Sequence, residues 1–311
     1  MIENTAFVFP GQGSQFVGMG KGFYTNHTSK SRELIEESDK ILDYSISQIM
    51  FTGPENVLND TVNTQPALFI HSLAAFTLLT EKIGNSLPAY MAGHSLGQLS
   101  AIVAARGMGF DTGLRLVRKR GELMKKAGKI NPGRMAAILG LDVKILEKVC
   151  EEASKNEENV QVANSNCPGQ VVISGNQFAV ERAILAARAV GAKRALPLAV
   201  SIAAHSTLMN SIQAEWNEAV NNAKIQKPEI PIIGNVSAGP LITAEDLRRE
   251  LILQMQSRVM WTETIKFLES KQIQVIIEIG PGSVLSGLVK RISGNIETRT
   301  FGDPGDYDKW S

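Results

Sequence analysis

Cysteine is scarce: the 311 residues hold only Cys150 and Cys167. The two form no C-x-x-C pair, and no histidine cluster lies near them. A disulfide framework and a metal site are therefore not expected, and a reducing cytoplasm is. Excess charge of either sign is also missing, with 32 basic and 31 acidic residues and a net charge of +1. Such a balance leaves no whole-molecule footprint for nucleic acid or an anionic membrane. Long apolar runs are absent too. Residues 1–5 carry no basic leader, and the apolar run 6–9 is too short for a signal peptide or a membrane span. The chain lacks solenoid repeats and low-complexity tracts. Two nucleotide signatures fail: no G-x-x-x-x-G-K-[ST] occurs, and the loop after residue 9 reads Gly11-x-Gly13-x-x-Phe16, without its third glycine.

What is present reads as a soluble α/β protein, with 43% hydrophobic and 20% charged residues. Ala6 to Phe9 form a buried strand by pattern, leaving into Pro10-Gly11-Gln12-Gly13-Ser14-Gln15. That loop is either an ordinary βα turn or a way of placing backbone N–H groups in a pocket. Helices are predicted over 29–50, over 66–83 with Thr64 as cap and Pro66 in the first turn, and over 112–127 with Asp111 as cap. His71 falls on the second of these and reads as a core histidine. Residues 133–201 have a different texture, strand–helix–strand–strand–helix–strand, which is the ferredoxin-like order. They read as a subdomain inserted into a core made of 1–132 and 202–311. Later come a strand over 228–235, helices over 207–222, 246–255 and 262–269, a strand over 275–279, a helix over 283–292, and a loop-like tail after Arg299.

Chemistry concentrates at Gly93-His94-Ser95-Leu96-Gly97, a G-x-S-x-G stretch. It lies between a predicted strand (87–92) and a predicted apolar helix (96–105). A sharp turn there exposes the Ser95 hydroxyl, flanking glycines let the elements approach, and the helix N-terminus offers N–H groups to an oxyanion. A serine nucleophile needs a base; His94 beside it and His205 downstream are the candidates.

These pieces occur in one order: Phe9-Pro10-Gly11-Gln12-Gly13-Ser14-Gln15, the elbow, Arg120-Gly121, Asn166-x-Pro168-Gly169-Gln170, His205-Ser206-x-Leu208-Met209 and Glu278-x-Gly280-Pro281-Gly282. Over about residues 5–293 the chain closely resembles the malonyl-CoA:acyl carrier protein transacylases and the related acyltransferase domains of polyketide synthases. The resemblance implies an α/β-hydrolase-like core with a parallel sheet and a ferredoxin-like insertion. It implies malonyl transfer from malonyl-CoA to a carrier-borne phosphopantetheine thiol, through an acyl-enzyme on Ser95, with no permanently bound cofactor. It makes His205 the base rather than His94, oriented by a main-chain carbonyl at Gln254. It places the oxyanion hole at the N–H groups of Leu96 and Gln12. Arg120 would hold the malonyl carboxylate through paired N–H···O bonds, with Gln15 and Asn166 lining the pocket.

The match has departures. Gln98 stands where glutamate is common and is not expected in the chemistry. Ala204 before the histidine leaves a larger α-substituent open, and Arg258 replaces a common proline. A basic rim from Lys125, Lys126, Lys193 and Arg194 is expected to face the acidic carrier, and the chain is expected to be a monomer. Competing readings are a trans-acting polyketide acyltransferase, an acyl hydrolase on the same scaffold, and an inactive carrier-docking module.

Overall fold

A computed structural model describes residues 2–25, 30–84, 86–198, 200 and 202–306, the side chains of residues 2 and 3 excepted. The helix start at Ser29 and the subdomain end at Ser201 lie outside the described residues. The strands are β1 (Ile2–Phe9), β2 (Pro88–Gly93), β3 (Gly133–Leu139), β4 (Val160–Cys167), β5 (Gln170–Asn176), β6 (Arg194–Pro197), β7 (Ile232–Ile233), β8 (Pro240–Leu241), β9 (Val275–Ile279) and β10 (Glu297–Phe301). They form a six-stranded sheet ordered β10-β9-β1-β2-β7-β8 and a separate four-stranded sheet ordered β4-β5-β3-β6. In the larger sheet every neighbouring pair is parallel except β7–β8. The smaller sheet is antiparallel throughout.

β1 shows why the larger sheet is central. Ala6, Phe7, Val8 and Phe9 are all fully buried, as a strand covered on both faces requires. Alternation sends Phe7 and Phe9 into the core under the Thr61–Ile83 and Phe110–Ile130 helices. Ala6 and Val8 point to the opposite face, against Trp261, Ile265 and Leu268 of the Trp261–Ser270 helix. In the smaller sheet, helices Val143–Ala153 and Gln177–Ala189 cover one face with Leu146, Val149, Val180 and Ala183, over Ile138 and Ile173.

Several boundaries differ from the sequence reading. The helix predicted over 66–83 starts at Thr61, capped by Asp60, whose carboxylate accepts from Val62 N–H at 3.2 Å. Pro66 is thus inside it rather than in the first turn. Proline leaves the carbonyl four residues earlier without its helical donor; here that is Val62 O, which accepts from Arg118 Nη1 at 3.1 Å. Thr64 is no cap, and its hydroxyl donates to Leu58 O at 2.6 Å. Gly109, not Asp111, precedes the Phe110–Ile130 helix; Asp111 instead pairs with Arg115 one turn on, at 2.9 Å. The predicted 29–50 helix breaks at Asp43 (φ 57°) into Lys30–Leu42 and Ile46–Thr52. The strand predicted over 228–235 shrinks to β7, and β10 forms where the sequence pattern shows only loop and tail.

The Glu278-x-Gly280-Pro281-Gly282 motif has a structural use. Glu278, fully buried at the end of β9, accepts from Leu285 N–H at 3.0 Å and Ser286 N–H at 2.7 Å, closing the start of the Val284–Ile292 helix. Burial raises its pKa against those bonds. Glu278→Ala would orphan both donors and is expected to cost about 2–4 kcal/mol of unfolding free energy in urea titration. A loss below about 0.5 kcal/mol, within the range of ordinary surface substitutions, would rule out the closure.

Candidate active site

β2 runs out at Gly93, and the chain turns through Ser95 in the left-handed region (φ 52°) into the Gly97–Ala104 helix. The glycines are required by contact. A Cβ on Gly93 would sit 2.0 Å from the Gly97 backbone, and one on Gly97 would sit 2.0 Å from Phe9 O. Asn235, fully buried just beyond β7, fastens this turn from outside. Its Oδ1 accepts from Ser95 N–H at 2.7 Å, and its Nδ2 donates to Gly93 O at 2.7 Å.

His205 also has a positive φ, 58°, and its Nε2 lies 2.7 Å from Ser95 Oγ. Nδ1 faces Gln254 O at 2.9 Å and Ser257 O at 3.1 Å. Both are carbonyls and only accept, so Nδ1 carries the proton and the Nε2 lone pair is turned to the serine hydroxyl. Gln161 on β4 ties these loops together. Its Nε2 donates to His205 O and to Gln256 O, each at 3.2 Å. Burial, then the charge of Arg120, push the His205 pKa down to about 3.

Arg120 comes from the middle of the Phe110–Ile130 helix and is 2% exposed. It makes no ion pair among the described residues. Nη1 donates to Gln65 Oε1 at 2.8 Å, and Nη2 to Gln254 Oε1 at 3.0 Å and Ser95 Oγ at 3.1 Å. The buried Nε–H has no partner among the described residues. Burial lowers its pKa to about 10, so it stays charged at neutral pH. Gly121 gives the helix room, since a Cβ there would lie 2.9 Å from Thr61 O.

The structure therefore brings Ser95, His205, Arg120 and Gln254 together. Leu96 directly follows the elbow serine, and Gln12 adjoins Gly11, on which a Cβ would lie 2.5 Å from His94 O. Gln12 Oε1 accepts from Thr61 Oγ1 at 3.2 Å. Gln15 is engaged elsewhere: it accepts from Gly13 N–H at 2.8 Å and donates to Asn59 at 2.9 Å. Asn166 Oδ1 accepts from His94 Nε2 at 2.9 Å, and the His94 ring packs edge-on against Trp261. His94 thus points away from the serine hydroxyl. His71 is a core residue bonded to Gly302 O at 2.9 Å, its pKa lowered by burial to about 4. Of the expected basic rim, Lys125 pairs with Asp60 and Lys126 with Glu215. Arg258 pairs with Glu147 at 2.6 Å, joining the loop after Gln254 to the Val143–Ala153 helix. Among the described residues no set of three or more His, Cys, Asp or Glu side chains could hold a metal ion, and no helix is long and apolar enough to cross a membrane.

Sequence reasoning missed Gln65, Asn235, Ser257 and Gln161, and set Gln98 aside. Gln65 carried a signal: an amide directly before the long apolar helix core. Asn235 carried a weaker one, at the end of an apolar run.

A serine on a sharp turn at the C-terminal end of an interior parallel strand, bonded to a histidine, is an arrangement that can activate a serine hydroxyl as a nucleophile. The model of the acyl transferase domain matches residues 6–298, and the chain belongs to that family. Over 303 residues it is 42% identical to the malonyl CoA-acyl carrier protein transacylase of Bacillus subtilis, covering 97% of this chain and 95% of that protein. Its structure superposes on an acyl carrier protein S-malonyltransferase from Vibrio cholerae with a TM-score of 0.94, at 37% identity, covering 99% and 100% of the two chains. A malonyl-transacylase solved in complex with its type II PKS acyl-carrier protein superposes at 0.93, with 38% identity and 98% of each chain covered.

Asn235→Ala would leave Ser95 N–H and Gly93 O unpaired in the core. It is expected to cost about 2–4 kcal/mol and to slow modification of Ser95 by a fluorophosphonate. Thermal melting and the labelling rate check this, and an unchanged labelling rate would detach Asn235 from the elbow.

Proposed function

We propose that the protein transfers malonyl groups from malonyl-CoA to the phosphopantetheine thiol of an acyl carrier protein, supplying fatty acid synthesis. The observation that carries this reading is Arg120: a buried cation 3.1 Å from Ser95 Oγ that, among the described residues, has no ion-pair partner and an unused Nε–H. A malonyl carboxylate supplies the missing charge, and a neutral acyl chain does not. The relatives' names point the same way.

The reaction proceeds in two transfers. Ser95 Oγ attacks the thioester carbonyl carbon as its proton passes to His205 Nε2. The oxyanion lies against the N–H groups of Leu96 and Gln12, each such donor contributing about 3 kcal/mol. Collapse breaks the C–S bond, and His205 returns the proton to the departing CoA thiolate. The carrier thiol then gives its proton to His205 and attacks the malonyl ester. Ser95 leaves and takes the proton back. Gln254 O and Ser257 O hold the imidazole tautomer without a carboxylate. Gln15 and Asn166 are read as lining the pocket, each already held by a neighbour, Asn59 and His94. We read the larger sheet with its helices (1–132 and 202–311) as an α/β-hydrolase-like core, the 133–201 segment as a ferredoxin-like insertion, and the protein as a cytoplasmic monomer.

Radiolabelled malonyl-CoA is expected to label Ser95, and a holo acyl carrier protein to remove the label; release of free malonate at a similar rate without carrier would make the protein a hydrolase. Arg120→Ala should lower kcat/KM for malonyl-CoA by about 100-fold or more, the size of a lost buried charge pair, and shift preference toward acetyl-CoA. An unchanged malonyl-to-acetyl ratio would end the carboxylate argument.

The base works only when neutral. With its pKa lowered to about 3, His205 stays neutral far below the ordinary histidine value. The acid limb of kcat/KM is therefore expected well below pH 6, with a flat profile between pH 6 and 8. A limb near pH 6.5 would show an unperturbed base.

A further inference from the structure

The Arg120–Ser95 pair is backed by a run of side-chain amides, and that run ends on a carboxylate. Glu250, on the Ala244–Gln254 helix, is 4% exposed. Its Oε1 accepts from Val236 N–H at 2.8 Å and from Gln98 Nε2 at 3.1 Å. Gln98 Oε1 accepts from Gln254 Nε2, which also donates to Ser95 O at 2.9 Å. Gln254 Oε1 accepts from Arg120 Nη2 at 3.0 Å. Every link thus donates in one direction, from the guanidinium to the carboxylate.

An amide turned end for end exchanges donor for acceptor, so the two glutamines alone would fit either way round. The ends of the run are not reversible: Arg120 only donates, and an ionised Glu250 only accepts. We infer that Glu250 is a positioning residue that sets the direction of the Gln98–Gln254 relay. Through it, an acceptor is kept on Arg120 and a donor on the main chain of the nucleophile. The inference rests on the reading of Ser95 and Arg120 as the acyl-transfer site.

Both donors meet the same oxygen of Glu250, so Glu250→Gln can keep its amide carbonyl in that place and hold the direction. Glu250→Leu leaves Gln98 Nε2 and Val236 N–H without that acceptor, so that Gln98, then Gln254, can turn and bring Gln254 Nε2 against the guanidinium.

Three readouts are compared in folded protein: KM and kcat for malonyl-CoA, the malonyl-to-acetyl ratio, and the rate at which a fluorophosphonate modifies Ser95. E250L is expected to raise KM and lower the ratio by about tenfold, the size of one misplaced hydrogen bond, and to slow labelling. E250Q, which keeps the acceptor, should hold all three within about threefold of the starting protein. Starting values in folded E250L, or an E250Q no better than E250L, would overturn the assignment. Gln98→Met cuts the relay while keeping the carboxylate, and decides the matter if E250L does not fold. The same rise in KM supports the relay, and an unchanged KM refutes it. Starting protein that takes the fluorophosphonate but transfers no malonyl defeats the functional reading instead, and the relay is then judged on labelling rates alone.

Discussion

A buried guanidinium with no ion-pair partner among the described residues is the constraint that organises this molecule. Burying a charge costs several kcal/mol unless polar partners surround it, and Arg120 is met by two neutral amides, Gln65 and Gln254, and by the serine hydroxyl. Those amides come from distant parts of the chain, so holding one cation fixes the Thr61–Ile83, Phe110–Ile130 and Ala244–Gln254 helices against the elbow. Pro66 fits the same arrangement. The carbonyl it leaves without a helical donor is taken by Arg118, two residues from Arg120, so the two long helices are stitched on both sides of that contact.

Ser95 and His205 are held by backbone more than by side-chain charge. Both have positive φ, a conformation that non-glycine residues adopt only when neighbours enforce it. At Ser95 the enforcement is Asn235 and the close approach of Gly97 to Phe9. At His205 it is two carbonyls and Gln161. Gln161 belongs to the smaller sheet, and β4 also bridges to Val259 through Asn164. The smaller sheet therefore braces the segment from Gln254 to Val259, which carries both carbonyl partners of His205, and so helps to hold its imidazole.

Much of this was legible in the sequence because its signals were local. G-x-S-x-G between an apolar strand and an apolar helix marked the elbow, and strand–helix order marked the four-stranded unit. The resemblance supplied His205, Arg120 and Gln254, whose isolated residues would pass for a core histidine, a helix-surface cation and a polar helix end. What stayed hidden was long-range. Asn235 lies 140 residues from the serine it holds, and Glu250 lies 152 residues from Gln98. No spacing rule connects such pairs. Helix starts were misplaced where two caps competed: Asp60 won over Thr64 because its carboxylate reaches the free N–H of Val62, while Thr64 spends its hydroxyl on Leu58. β10 was missed because it is an edge strand whose alternation, with Glu297 and Arg299 exposed, resembles a polar tail.

If His205 is the base, as proposed, the same buried cation bears on when it is active. Burial is the largest cause holding the His205 pKa down, and the charge of Arg120 is the second. On the proposed reading, a malonyl carboxylate that pairs with Arg120 removes most of the second cause, and the imidazole becomes more basic just as the acyl group is in place. An acetyl group leaves Arg120 unpaired and the base weak. Discrimination then has two parts, a lost ion pair in binding and a weaker proton acceptor in the chemical step. Water entering an empty site meets the weak form of the base as well. One buried arginine would thus favour the correct acyl group and disfavour idle proton transfer, with no residue added for either purpose.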